Sequence, residues 1–397
     1  MFFFRILFAV IFIYFISPVV TFAQEQPLIN DLNPPLELKF PVSCQLEENC
    51  WLVNYPDIVS GEGAADYKMG KMTYEGSMGI DIAVQTVLDL KNGVPVLSAE
   101  DGEVIFVRND IEDNYPLGPK KENDNSPFCG NFVVIRHTND WKTVYCHLKK
   151  DSIEVEPGDF ALEGRKIAEI GLSGKTEFPH LYFSVLYKKN YYDPFSGLEL
   201  SEDPRKYKSF WAPSVKENLK YKNFAIINIG VSKEAPSADE VKKGEYENIE
   251  IFNDLSEIYV WIHGFHFNKD DFLKVSVSNP EQEKILDDTV KIDSGEIERF
   301  FVFKKQKKEE KTWLPGSYTV KAELISPDSG LAYKYDFDFE IKKLPEPIDE
   351  EALRKEKLME KYKLQRRKVI IFHKLKQEGK LPDTYKENKF KFEFLNQ

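Results

Sequence analysis

Short apolar segments separated by glycine and polar residues fill the first half of the chain. Between residues 44 and 212 they recur without a helical period, as in NFVVIRH (131–137) and HLYFSVLY (180–187). Segments this short, bounded by turn-forming residues, are typical of β-strands. The pattern therefore predicts a compact all-β domain over residues 44–212.

A second group of strands is predicted over residues 223–343. In YKYDFDFEIKK (333–343) apolar and charged residues alternate strictly, which places the aromatic side chains on one face of a strand. Strands at this spacing over about 120 residues are typical of an immunoglobulin-like β-sandwich. The fold class predicted for the body of the chain is therefore all-β.

The last part of the chain, residues 348–397, has a different composition. It is rich in Glu, Lys, Leu and Arg, and its apolar residues recur at helical intervals. The residues that define this spacing are Ala352, Met359, Tyr362, Val369 and Phe372. We expect an amphipathic C-terminal helix followed by a polar and aromatic tail.

An apolar segment also opens the chain. Arg5 precedes an apolar run over residues 6–20, and the small residues Thr21 and Ala23 come before a polar stretch. This pattern predicts a signal peptide at residues 1–23, cleaved after Ala23, and a Pro-rich linker at residues 24–43. The alternative is an uncleaved membrane anchor, and only in that case does the protein contact a membrane. Both interpretations predict export.

Charge excludes one class of partner. With 54 Lys and Arg against 66 Asp and Glu, the formal net charge is −12. Affinity for nucleic acid comes mainly from basic side chains that neutralise phosphates. We expect no nucleic-acid partner.

The cysteines number four, an even count that suits an exported chain. Cys44 and Cys50 enclose a short acidic loop and are expected to form a disulfide. Cys129 and Cys146 flank a predicted hairpin whose simple register sets Cys146 opposite residue 132. Cys129 is then about three residues out of line, and the sequence leaves open whether this second pair forms.

Several short motifs follow one another between residues 72 and 187. They include GSMGID (76–81), YCHL (145–148), GLSG (171–174) and FPHLYF (178–183). Their order resembles the lysostaphin/LytM-type zinc metallopeptidases, peptidoglycan endopeptidases built on a small β barrel. Cys44, Cys50 and the CGN at residues 129–131 resemble a Gram-negative branch of that family, in which a sandwich domain follows. The resemblance implies a periplasmic, cell-wall-associated protein.

The resemblance also implies a set of site residues. In this family zinc is bound by the His and Asp of H-x-x-x-D and by the second His of H-x-H, while two further histidines are catalytic. Asp81 keeps its ligand position, and His147 and His180 match the catalytic histidines. Ser77 and Tyr182 stand at the other two ligand positions. Because residues i and i+2 of a strand share a face, we expect the side chains of residues 81, 147, 180 and 182 to line one groove, with residue 77 at its edge.

Two of three zinc ligands are therefore replaced. A serine hydroxyl and a tyrosine phenol are poor substitutes for imidazole, so zinc is expected to be absent or weakly bound and the domain to be inactive. His147 and His180 are then vestigial hydrogen-bonded residues, with a role in proton transfer as the alternative. Asp81 caps a turn or accepts a hydrogen bond from Tyr182, unless it rebuilds a metal site with the two histidines.

Three functions follow from this pattern. The first is a non-catalytic pseudoenzyme that binds peptidoglycan peptide or regulates a murein hydrolase such as a cell-wall amidase. The second is an active zinc endopeptidase with unusual ligands. The third is an adaptor that acts through its sandwich domain and C-terminal helix. The sequence names neither the bond nor the partner. His263 and His266, three apart in one predicted strand, form a poor metal pair and are assigned to packing or surface.

Overall fold

The computed structural model describes most of the chain, and every structural statement below refers to that part. The described residues are 34–114, 127–200, 206–307, 312–327, 330–345 and 349–380. The predicted signal peptide and the first part of the predicted linker lie outside them. Contacts divide the chain into two compact units, Met1–Lys342 and Lys343–Gln397. Both predicted β domains belong to the first unit.

The first β domain is an antiparallel sheet with a small second sheet of two strands. Its strands are β1 (Trp51–Asn54), β2 (Ile80–Ala83), β3 (Pro95–Leu97), β4 (Gly102–Arg108), β5 (Asn131–Arg136), β6 (Trp141–Leu148), β7 (Phe160–Ala161), β8 (Lys166–Glu169), β9 (His180–Tyr187) and β10 (Asn190–Tyr192). The main sheet has the order β1-β2-β9-β6-β5-β4-β7, with β10 on β9, while β3 pairs with β8. The site residues predicted from the sequence fall on or beside its neighbouring strands β2, β9 and β6.

The second β domain consists of two sheets. Its strands are β11 (Ala225–Ser232), β12 (Ile251–Phe252), β13 (Glu257–Phe267), β14 (Phe272–Ser278), β15 (Lys284–Lys291), β16 (Glu296–Gln306), β17 (Gly316–Ser326) and β18 (Leu331–Lys342). One sheet has the order β11-β13-β16 and the other β12-β18-β17-β14-β15. The predicted all-β class is confirmed, and the immunoglobulin-like assignment stays a prediction.

The described helices are few. They are α1 (Val87–Asn92), α2 (Pro213–Lys216), α3 (Ala238–Lys243) and α4 (Glu350–Gln377). In the described part of the chain, none of them combines the length and the apolar character needed to cross a membrane.

The predicted C-terminal helix is present as α4, but it is not amphipathic. At about 100° per residue, Leu353, Leu358 and Met359 point in three widely separated directions around the axis, and all three are exposed. The residues at helical spacing do not form an apolar face, because other apolar residues of the helix lie between them and point in other directions.

The assignment of residues 24–43 to a linker is wrong where the structure describes them. Leu36, Leu38 and Val42 are buried in the core of the first β domain. The backbone N–H of Leu38 donates to the carbonyl of Phe210 at 2.7 Å. Prolines suit an extended segment, and here that segment packs its alternate apolar side chains into the domain.

The two β domains share part of their packing. Ala225 and Ile227 of β11 and Phe265 of β13 belong to the apolar core of the first domain. A separate cluster fills the space between the two sheets of the second domain. The sandwich is therefore joined to the first domain by buried apolar surface.

Both cysteine pairs are disulfides. Cys44 is bonded to Cys50 and Cys129 to Cys146, with Cα–Cα separations of 6.1 and 4.9 Å. Phe132 lies opposite Cys146, as the simple hairpin register predicts. Cys129 nevertheless reaches Cys146 because Gly130 adopts a positive φ of 58°, which turns the chain before β5 back over the sheet.

Candidate functional site

Strand pairing brings the predicted site residues to one face of the sheet. Asp81 on β2 lies directly opposite Tyr182 on β9, and Ala83 lies opposite His180. Since alternate residues of a strand point the same way, Asp81, His180 and Tyr182 share that face. The alternation predicted from the sequence therefore places these three side chains together.

His147 joins them from β6. It has a positive φ of 61°, and its Nδ1 lies 2.9 Å from the carbonyl oxygen of Ser173. Its ring centroid is 4.7 Å from that of His180 and 6.2 Å from that of Tyr182. The four side chains converge as expected. Their functional roles stay predictions.

The Asp81 carboxylate is held from one side. Its Oδ2 accepts a hydrogen bond of 2.6 Å from Asn54 Nδ2, and its Oδ1 lies 3.6 Å from His180 Nε2. Burial raises the pKa of Asp81 to about 7, and the hydrogen bond from Asn54 opposes that rise. The interpretations of Asp81 as a turn cap or an acceptor from Tyr182 are not what the structure shows, because the donor to its carboxylate is Asn54.

The His180 ring is fixed by its own loop. Its Nδ1 lies 2.9 Å from the carbonyl oxygen of Phe178 and 3.0 Å from Thr176 Oγ1. Phe178 stacks on the imidazole with a centroid distance of 4.3 Å. A carbonyl only accepts, so the hydrogen bond to Phe178 places a hydrogen on Nδ1. In the neutral ring, Nε2 is then the lone-pair nitrogen that faces Asp81.

Tyr182 occupies its ligand position with a bulky and neutral group. A Cβ at Gly79 would lie 2.8 Å from Tyr182 Cζ, so the ring rests directly on that glycine. Burial raises the pKa of the Tyr182 phenol well above its ordinary value, and Tyr74 and Asp81 add to the rise. The phenol therefore keeps its proton near neutral pH and is a weak metal donor.

Ser77 is also engaged in a hydrogen bond within its own loop. It is buried, and its Oγ donates a hydrogen bond of 3.1 Å to the carbonyl of Gly79. With one carboxylate, one such hydroxyl and one neutral phenol, the three ligand positions do not fit the preference of catalytic zinc for imidazole and carboxylate. Within the described ranges, no group of three or more His, Cys, Asp or Glu side chains is arranged to hold a metal ion.

An aromatic side chain covers the converging residues. Phe128 makes edge contacts with His147 and Tyr182, at centroid distances of 6.1 and 5.7 Å. Phe128 is 55% exposed, whereas Asp81, His147, His180 and Tyr182 are at most 6% exposed. The polar floor of the groove is thus shielded from solvent, and Phe128 forms its outer surface.

A small cavity of about 250 Å³ adjoins the groove at Ser77. Asp57, Glu75, Met78 and Leu200 contribute to its wall. A larger cavity of about 900 Å³ lies elsewhere, beside Arg136 and Phe160, and includes none of the predicted site residues. Of these two cavities, the smaller one is the candidate binding site, because Ser77 lies in its wall.

Several residues of the site were missed in the sequence. Asn54, Tyr74, Phe128 and Phe178 all contact or influence the groove. Phe178 lies inside the FPHLYF motif, so its place was available from the resemblance. Asn54 is the last residue of the short buried strand β1, and no local pattern marks it.

Comparison with known proteins agrees with this geometry. Residues 75–194 match the profile of peptidase family M23. A peptidoglycan DD-endopeptidase of Vibrio cholerae, ShyB, is 39% identical over 94 residues, which are 24% of this chain and 18% of ShyB. The cell division protein DipM of Caulobacter vibrioides is 27% identical over 95 residues, or 24% of this chain and 13% of DipM. The chain thus spans less than a fifth of the length of these relatives.

A solved structure was also found. A zinc-containing peptidase from Vibrio cholerae shares 32% identity and covers 35% of this chain and 36% of its own, with a TM-score of 0.23. Together with the strand order and the converging motif residues, the profile match identifies the first β domain. Residues 75–194 form a LytM-type domain of peptidase family M23.

Proposed function

We propose that this protein is a cell-wall-associated pseudoenzyme whose M23 domain binds peptidoglycan peptide without hydrolysing it. A role related to the cell wall is supported by the family match and by ShyB, whose name describes it as a peptidoglycan DD-endopeptidase. The absence of hydrolysis is supported by one observation above all: the buried Tyr182 ring lies on Gly79, where the family has a zinc ligand.

The covering of the groove supports the same proposal. A hydrolase needs its nucleophile and its general base to reach the scissile bond. His147 lies against Phe128, which itself is more than half exposed, and His180 is buried beside Phe178. A peptide approaching this face therefore meets the Phe128 ring before it meets His147 or Tyr182.

The outer surface of the groove has the features of a weak peptide site. Phe128 and Met78 expose apolar surface, and the adjoining cavity carries the exposed side chain of Glu75 on its wall. Apolar surface next to a carboxylate suits a peptide segment that bears an amino group. We assign this rim as the contact surface for the peptide.

Sedimentation with purified sacculi tests the proposal. We expect the wild-type protein to sediment with the sacculi and to release no soluble muropeptides in chromatography. Phe128→Ala should weaken binding about tenfold, since a buried aromatic contact contributes about 1.4 kcal/mol or more. The matched control is Phe160→Ala, which removes an equally exposed ring beside the other cavity.

The outcomes separate the candidate functions. Loss of binding in Phe160→Ala alone would show that the peptide binds at the larger cavity. Muropeptide release by the wild type would show that the protein is an enzyme and would contradict the proposal. A cell-wall amidase added to the same assay tests the regulatory role. Stimulated release that depends on Phe128 would make the hydrolase, rather than the peptide, the partner of this rim.

Export belongs to the same proposal, because the wall lies outside the cytoplasm. The protein isolated from the cell envelope should begin at Gln24, after cleavage of residues 1–23. N-terminal sequencing measures this directly. A sequence that starts at Met1 in protein from the envelope would indicate the anchored form instead.

A further inference from the structure

One strand of the sandwich reaches the M23 groove with two consecutive residues. His266 in β13 adopts a positive φ of 58°, a conformation that interrupts the regular alternation of a strand and is strained for a residue with a side chain. Phe265 and His266 are both buried, and both contact residues of the first β domain, Phe178 and Asn54. A strained backbone that is maintained by such contacts indicates a specific use for them.

The first contact leads to Asp81. His266 Nε2 lies 2.6 Å from Asn54 Oδ1, and Asn54 Nδ2 donates to Asp81 Oδ2 at 2.6 Å. An amide oxygen only accepts, so His266 must donate through Nε2. The two hydrogen bonds hold the amide in one orientation, with its oxygen toward His266. The NH₂ end then faces the Asp81 carboxylate, with which an amide oxygen would be repulsive.

The second contact leads to His180. The Phe265 ring packs on Phe178 with a centroid distance of 4.7 Å, and Phe178 stacks on His180. The carbonyl of Phe178 also accepts the hydrogen bond from His180 Nδ1. The position of residue 178 therefore determines both the tilt of the imidazole and which of its nitrogens carries the hydrogen.

The sandwich side of this contact is built for a neutral imidazole. Burial lowers the pKa of His266 to about 4, so at neutral pH the ring carries one hydrogen. Donation to Asn54 places that hydrogen on Nε2. The contact is accordingly a hydrogen bond between two neutral groups at neutral pH.

We propose that Phe265 and His266 are positioning residues of the M23 groove, through which the sandwich orients His180 by way of Phe178 and Asp81 by way of Asn54. The inference builds on the proposed function, because it assigns the second β domain to the same groove. The groove is then a site completed by two domains, although the family match covers only one of them.

NMR resonances of the histidine rings test the inference, because a change in stability alone does not shift them. The chain has six histidines, so a sample labelled at histidine gives few ring signals. We expect His266→Phe, which keeps a ring but removes the donor, to shift the signals of His180 and His147. His266→Gln supplies a side-chain N–H in a similar place and should restore them.

A matched control lies on the same strand. His263 is also buried in β13, but its Nε2 lies 2.8 Å from Glu298 in the sandwich itself. His263→Phe should lower stability without moving the signals of His147 and His180. Should His266→Phe not fold, Asn54→Leu removes the same amide from the other side and should produce the same shifts.

Binding is measured on the same variants with purified sacculi. Loss of one buried hydrogen bond is expected to weaken binding about fivefold in His266→Phe, with recovery in His266→Gln. Unchanged signals of His147 and His180 in folded His266→Phe or Asn54→Leu would overturn the inference. If the signals shift but the wild-type protein binds no sacculi, the positioning role is supported and the proposed function is contradicted.

Discussion

The double replacement Ser77→His plus Tyr182→His should bind about one zinc ion per chain, whereas the wild type should hold far less than one. Residue 182 already points to the same face as His180, and Asp81 is already placed opposite it. Two imidazoles and one carboxylate complete the ligand set that catalytic zinc prefers. Replacing the phenol also removes the ring that rests on Gly79 and so makes room for a metal ion.

Metal analysis of the purified, dialysed proteins measures this effect. Each single replacement should bind little zinc, because two protein ligands hold it poorly. Adding Asp81→Ala to the double variant should remove the metal. We expect no hydrolysis, since Phe128 still covers the groove. Stoichiometric zinc in the wild type, lost in Asp81→Ala together with muropeptide release, would instead make the protein an enzyme.

The second large effect is expected at Gly130, the residue between Cys129 and β5. Its φ is 58°, and a Cβ there would lie 2.2 Å from the carbonyl carbon of Ser173 and 2.5 Å from the backbone nitrogen of Gly174. Overpacking costs about 1–3 kcal/mol, and a left-handed alanine about 1 kcal/mol more. Gly130→Ala should therefore lower the free energy of unfolding by about 3 kcal/mol.

Urea denaturation followed by fluorescence measures that free energy. The control is Gly164→Ala, since Gly164 also has a positive φ, of 74°, but no atom lies within 4 Å of its Cβ position. It should cost only about 1 kcal/mol. Because the Ser173 carbonyl is 2.9 Å from His147 Nδ1, Gly130→Ala should also shift the His147 ring signal. Equal losses of unfolding free energy in Gly130→Ala and Gly164→Ala would contradict the prediction, because the crowding at Gly130 would then cost no stability.

The strands that carry the groove were predictable because their signals are local. The segment 180–187 is one strand in the structure, and its period of two places residues 180 and 182 on a common face. By contrast, β15 exposes most of its side chains on the outer strand of a sheet. A strand that is polar on both faces has no hydrophobic period, and this one was not predicted.

The support of the groove was not predictable for a different reason. Asn54 and His266 are 212 residues apart in sequence, and no local pattern encodes such a contact. Strict alternation places His263 and His266 on opposite faces of one strand, but the positive φ of His266 interrupts that alternation. Cys129 and Cys146 show the same limit, because the turn at Gly130, not the strand register, brings them together.

The shared packing of the two β domains bears on how such chains are recombined in evolution. Phe265 lies in the apolar core of the first β domain although it belongs to the sandwich. The first β domain, transferred to another chain without β13, would expose Phe178 and leave the amide of Asn54 without the hydrogen bond from His266. Transfer of the first β domain alone would therefore lose these contacts, and a substitution on one side of the contact should need a matching change on the other.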